Sequence, residues 1–265
     1  DILLNASYRK EEGETEGGFA GIFGQIADRY FQVHGNKSEA LARIAAKNHL
    51  NGLENPFAQL RKDLGFEFCN TVSEKNPLVA GPLRRTDCSL VSDGAAAVVL
   101  TDTETALRGT KAIHIRAAAQ VNDYLPISGR DIIAFEGCEL AWKKAHEEAG
   151  TRLDDLDVVE THDCFTIAEL IEYEAMGVAP KGEGARAIDE GWVEKNGRLP
   201  VNPSGGLKSK GHPIGATGVS MHVMQSLQLM GEADGMQIQD AELAGVFNMG
   251  GAAVANYVSI LERIR

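Results

Sequence analysis

The sequence predicts an α/β protein made of stacked helix and sheet layers, and three observations predict it. From residue 111 onward, short β-branched runs alternate with amphipathic stretches of helix length. Strands alternating with helices argue for a layered α/β domain. The 265 residues include 29 glycines and only 6% aromatics, which suits closely packed layers better than an aromatic core. Glycine and proline are also concentrated in connections, above all in "NPSGGLKSKGHPIGATG", Asn202 to Gly218, which runs straight into a helical pattern.

The elements follow in order. In "GGFAGIFGQIADRYFQVHG" the apolar residues Phe19, Ile22, Phe23, Ile26, Tyr30 and Phe31 have helical spacing, closed by Gly35. "SEALARIAAKNHLNG" reads as a second helix, with Ser38 as N-cap and Gly52 ending the pattern after Asn51. The stretch from Asn55 to Leu83 is punctuated throughout and reads as extended loop with short pieces of structure. "SDGAAAVVLTD", Ser92 to Asp102, reads as a buried strand led in by a tight turn. It resembles "MGGAAVANYVSILER" near the other end, and the pair suggests an internal duplication. Then come a strand in "KAIHIRAAAQV", a helix in "FEGCELAWKKAHEEAG" ended by Gly150, and a strand at Asp157–Thr161. "TIAELIEYEAMG" is a helix with Thr166 and Glu169 as a capping box and Gly177 at its C-cap. "IGATGVSMHVMQSLQLMG" is a helix ended by Gly231, and "LAGVFNMGGAAVANYVSILER" holds two strands joined by a glycine pair.

Charge and cysteines narrow the function classes. The net charge is −12, whereas a nucleic-acid binder is more often basic, so no nucleic-acid partner is expected. Cys69, Cys88, Cys138 and Cys164 form no CxxC pair, which argues against a zinc ribbon and for free thiols in a reducing compartment. No apolar run is long enough to span a bilayer. The chain begins at Asp1 without an initiator Met, as a fragment would.

Two constellations can carry chemistry. "THDCF", Thr161 to Phe165, falls between a strand and a helix, where α/β proteins place ligands. It puts an imidazole, His162, and a thiol, Cys164, in one small volume, where they could share a proton. The plain alternative is a buried small residue beside a satisfied turn histidine. The second is His212, set between Gly211 and Pro213 ahead of a helix whose free N–H groups can face an anion. An imidazole held there could donate to a carbonyl oxygen becoming negative. Zinc on His162, Cys164 and His212 is disfavoured, because the HxC spacing is not a usual zinc pair and a fourth ligand is missing. "GGLKSKGH" lacks the GxxxxGK[ST] of a phosphate loop.

Together, "NPSGGLKSKGHPIGATG", "THDCF", "DCSLVSDGAAAVVL" and "NMGGAAVANYVSIL" resemble the thiolase family, in particular sterol-carrier-protein-type thiolases and acetyl-CoA acetyltransferases with an HDCF motif. The resemblance covers most of residues 80 to 265. It implies the layered αβαβα thiolase fold, here as a loop or cap region over 1–80, the last strand segment of the N-terminal domain over 81–110, and the C-terminal domain of βαβαβ type over 111–265. The N-terminal half would be largely missing. The implied reaction is Claisen condensation or thiolytic cleavage of a 3-oxoacyl-CoA, in lipid metabolism. Coenzyme A or acyl-CoA would be substrate, with no permanently bound cofactor and no metal.

By the same resemblance, Cys164 would be the acid–base cysteine. His212 would help activate the nucleophile and bind a thioester oxygen, and His162 would bind the oxygen in the other oxyanion hole. Asn248 and Gly250 would serve oxyanion positioning, and Ser204, Gly205 and Gly215 would line the substrate site. Asn248 stands where common thiolases have a cysteine. The acylated cysteine of the family lies upstream of the loop domain, and Cys69, Cys88 and Cys138 do not fit it. A second chain carrying the missing half, or a homo-oligomer, is therefore expected as partner. The chain ends in "ERIR" without a peroxisomal tripeptide, so cytoplasm is the default location. The competing readings are an inactive acyl-CoA-binding scaffold and a condensing enzyme acting on a carrier protein. The pairing of HDCF with GHPIGATG argues against the latter.

Overall fold

A computed structural model describes residues 7–13 and 15–265. The expectation attached to Asp1 lies outside the described residues. Helix α1 is Phe19–His34 and α2 is Ser38–Asn51. The α1 stripe Ile22, Phe23, Ile26 and Tyr30 is buried, as its spacing requires. Ser38 is the first residue of α2 rather than its cap. The side chain of Asn36 takes that part, its Oδ1 accepting from the Ser38 N–H at 2.8 Å and the Ser38 hydroxyl at 2.7 Å. The stretch after α2 holds a short helix, Gly65–Asn70, and an antiparallel pair of Leu78–Ala80 with Leu83–Arg84.

The strand expected over Ser92–Asp102 does not form. Residues 92–102 are irregular, and Val99 and Leu100 are 95% and 73% exposed. The segment pairs with no strand among the described residues. The proposed duplication therefore has no matching pair of strands.

The main sheet has four strands: β1 Ile113–Asn122, β2 Val158–Glu160, β3 Leu243–Gly250 and β4 Ala255–Arg263. Their order is β1-β4-β3-β2, with β4 antiparallel to both neighbours and β2 parallel to β3. Helix α3, Glu136–Ala149, closes on Gly150 and covers one face. On that face Gly245 lets Trp142 reach the sheet. Helix α5, Thr217–Met230, covers the other face, where its His222 meets Ser259 of β4 at 3.0 Å. Helix α4, Thr166–Ala175, follows β2 in the chain and packs against α2, α3 and α1, and its ten residues are all buried.

The burial of α4 explains why the capping box expected at its start is absent. Thr166 donates instead to Asp87 at 2.8 Å. Glu169 accepts from Lys47 and Asn48 of α2, both at 2.6 Å. A buried carboxylate near a buried ammonium is drawn to the ion pair, not to its own helix end. At the other end, Gly177 lies just past the C-cap in the left-handed region, at φ 88°. No helix of the described residues is long and apolar enough to cross a membrane.

Candidate active site

The site begins where β2 ends. Glu160, fully buried, accepts from the Ser204 hydroxyl at 2.8 Å, and the Thr161 N–H donates to Asn202 Oδ1 at 2.9 Å. These bonds tie "THDCF" to the first residues of the glycine-rich segment. Asp163 then caps the short helix Gly206–Ser209, accepting from the Leu207 N–H at 2.6 Å and the Lys208 N–H at 3.1 Å. Gly206 is required there, because a Cβ would sit 2.3 Å from Asp163 Oδ2. Asn48 completes the carboxylate shell at 2.9 Å. Burial first, then Glu169, pushes Asp163 up to about 7, while the two backbone N–H groups pull it down.

The two histidines meet. The rings of His162 and His212 lie edge to face with centroids 5.0 Å apart. His162 Nδ1 is 2.7 Å from Asn248 Oδ1 on β3, and His212 Nδ1 is 2.7 Å from Thr217 Oγ1 on α5. The Thr217 hydroxyl gives its single proton to the Pro213 carbonyl at 3.2 Å. With that proton assigned to Pro213, the Thr217 oxygen accepts from His212, and we assign the His212 proton to Nδ1. With Asn248 Oδ1 as partner, His162 is protonated at Nδ1 as well. Burial, then His212, holds His162 down to about 3, and burial, then Lys210, holds His212 at about 4. Both rings are neutral at physiological pH, and each Nε2 keeps its lone pair.

That tautomer changes the chemistry expected of the pair. A neutral ring protonated at Nδ1 accepts a proton at Nε2 and donates there only once it has taken one. With this assignment, oxyanion binding by either imidazole would require proton uptake at Nε2 first.

Cys164 is 7% exposed, and its backbone carbonyl accepts from the Ser89 N–H at 2.9 Å. Burial, then Glu172 and Asp163, keeps its thiol well above the usual cysteine value. The raised thiol favours the protonated form over a standing thiolate. Cys88 is likewise pushed up to about 11, by burial first.

The remaining expected site residues divide. Asn248 holds His162 and does not stand alone as an oxyanion group. Gly250 lies at the end of β3, where a Cβ would meet only Ala255. Ser204 is 1% exposed with its hydroxyl committed to Glu160, and Gly205 lets Gly52 approach closely. Both are packed within the protein, and the substrate contact expected of them remains a proposal. Gly215 is exposed with open space about it, so something can approach it. A cavity of about 240 Å³ opens beside Lys210, Gly211 and Pro213 and is walled by Phe57, Gln59 and Met224. His162, Cys164 and His212 do not line it. No group of three or more metal-ligating side chains occurs among the described residues.

Sequence reasoning missed Thr217 and Gly218. A Cβ on Gly218 would come within 3.0 Å of the Asn248 amide, so its absence lets that amide stand beside α5. The spacing of Thr217 five residues after His212 was the available signal.

Comparison with known proteins decides the family. A family model described as "Thiolase C-terminal domain-like" matches residues 119–263. The chain belongs to the thiolase family. An acetyl-CoA acetyltransferase of Methanothermobacter thermautotrophicus is 37% identical across 98% of this thiolase chain, which spans 68% of that protein. Sterol carrier protein 2 of Oryctolagus cuniculus is 36% identical across 88% of the chain, which spans 44% of that protein. Among solved structures, the Ltp2-ChsH2(DUF35) aldolase matches with a TM-score of 0.82 at 22% identity, over 98% of this chain and 68% of its own, and supports the fold.

Proposed function

We propose that this chain is the acid–base portion of a thiolase that makes or breaks the carbon–carbon bond of a 3-oxoacyl-CoA. The observation that carries the reading is the edge-to-face pair of His162 and His212, each hydrogen-bonded at Nδ1 with its Nε2 free to exchange a proton. His212 takes the proton of the nucleophilic thiol, and the resulting imidazolium then donates to the thioester oxygen as it becomes negative. His162, steadied by Asn248, does the same for the second acyl group. Cys164 removes the α-proton of the incoming acetyl-CoA in condensation and returns it in thiolysis. The raised thiol suits the thiolysis direction, in which the protonated sulfur donates to the carbanion; in condensation Cys164 first gives its proton to solvent and then takes the α-proton as thiolate.

The acylated cysteine comes from outside residues 1–265, from a longer form of this chain or from a partner. The family resemblance and the relatives named above support a coenzyme A thioester as substrate. The test is intact mass after incubation of this chain with acetyl-CoA. No stable acyl-cysteine is expected, and one formed on this chain alone overturns the assignment of the nucleophile. In the full-length protein, Cys164→Ala and His212→Ala should each lower thiolysis of acetoacetyl-CoA by about 10²–10⁴-fold. Unchanged turnover in Cys164→Ala would overturn the role given to Cys164, whereas no turnover in the unmodified full-length protein would favour the inactive scaffold reading, to which the burial of that thiol lends its one argument.

A further inference from the structure

The mechanism above uses no group beneath the Thr161–Cys164 turn, yet a carboxyl lies there. Glu172 is on α4 with no exposed surface. Its Oε2 accepts from the Thr161 hydroxyl at 2.5 Å, and the His162 N–H also faces it. Its Oε1 has no hydrogen-bond partner, and the group forms no salt bridge, among the described residues. The acidic neighbours Glu169 and Asp163 find Lys47, Asn48 and backbone N–H groups; Glu172 finds no cation. A buried carboxylate without a cation is costly, and the group avoids that cost by keeping its proton.

We propose that Glu172 is a positioning residue for the acid–base cysteine: its carboxyl carries a proton beneath the Thr161–Cys164 turn, and its ionisation blocks formation of the Cys164 thiolate. The proposal rests on the role given to Cys164 above. The geometric ground is that one fully buried carboxyl, with one oxygen unpartnered, is bonded to the residue that opens the turn three residues before the sulfur; the raised Cys164 thiol agrees with it. Two anions buried at one turn cannot both form readily. With Glu172 protonated, Cys164 can lose its proton to become the base; with Glu172 ionised, the sulfur keeps it. No bond is made or broken apart from these proton exchanges with solvent and substrate. The groups facing Glu172 are Thr161 and the His162 N–H from the turn, Asp163 beyond them, Glu169 on its own helix, and Cys138 on α3. The Cys138 thiol, like that of Cys164, is raised by burial first and Glu172 second.

The experiment is the pH profile of Cys164 alkylation by iodoacetamide in the full-length protein, read at that residue by peptide mass. The wild-type profile should be broader than a single ionisation. Glu172→Gln, which keeps the shape and fixes the neutral form, should sharpen it to one ionisation. Its midpoint should fall by at least one pH unit, making alkylation about tenfold faster below the midpoint. Glu172→Met should shift it the same way. A single-ionisation curve in the wild type, which needs no variant to fold, overturns the proposal, as do variant profiles that superimpose on it. Turnover that survives Cys164→Ala would sink the function above while leaving this coupling intact, so the two failures are distinguishable.

Discussion

Two stretches of this molecule carry nearly the same pattern and meet opposite fates. "DGAAAVVL", residues 93–100, and "GGAAVANYVSIL", residues 250–261, both place glycine and alanine ahead of a β-branched run. The second becomes β4, hydrogen-bonded on both edges, with Val258 and Ile260 at 1% and 0% exposure. The first forms no strand, and its valines and leucine face outward. A β-branched run states a fitness for a pleated, half-buried surface and does not supply one. Neighbouring strands supply it, and β4 has two.

Several measurements press on that contrast. The largest difference is expected in amide hydrogen exchange of this chain. Protection in residues 256–261 should approach that of global unfolding, whereas residues 92–100 should open at almost no cost. Equal protection in the two would break the comparison. Protection gained by residues 92–100 in a longer form of the protein, or with a partner chain, would sharpen it. Next, Ile260→Ala should cost about 2–5 kcal/mol in denaturant unfolding, because the packed site cannot collapse on the missing atoms. Leu100→Ala, on the exposed copy of the pattern, should stay within about 0.5 kcal/mol. A cost above 1 kcal/mol would mean that this segment is packed after all.

The smallest change is expected at the histidines, where partners again decide the outcome. Their folded values, about 3 for His162 and about 4 for His212, lie below the usual 6.5. An unfolded chain would gain protons on these rings as pH falls below 6.5, and the folded one would not until near 4. Imidazole nitrogen resonances should therefore stay those of the neutral, Nδ1-protonated form from pH 8 to about 5. Titration near 6.5 would contradict the burial and the tautomers described.

Much of the fold was legible because helices announce themselves locally. Helices α1 to α5 were readable from apolar spacing, and Gly35, Gly150 and Gly231 marked ends that the structure shows. The histidine pair was legible too, since the segments holding it are unusual in composition. What escaped were pairings across long separations in the chain. Glu169 looked like half of a capping box until Lys47, 122 residues away, claimed it. Asn48 and Glu172 gave no local sign of importance, because their meaning comes from what α2 and α4 bury together. Asn248 looked like the loss of a cysteine and is a bearing for His162 instead.

One pair of adjacent residues has a larger reach than its size suggests. Thr217 fixes the ring of His212, and Gly218 leaves room for the amide that fixes His162. Both sit on the opening turn of α5. A slight rotation or slip of that helix against the sheet would therefore release both imidazole rings in one movement. The two imidazoles are geared together, and neither can be retuned by evolution or by design without passing through the same turn.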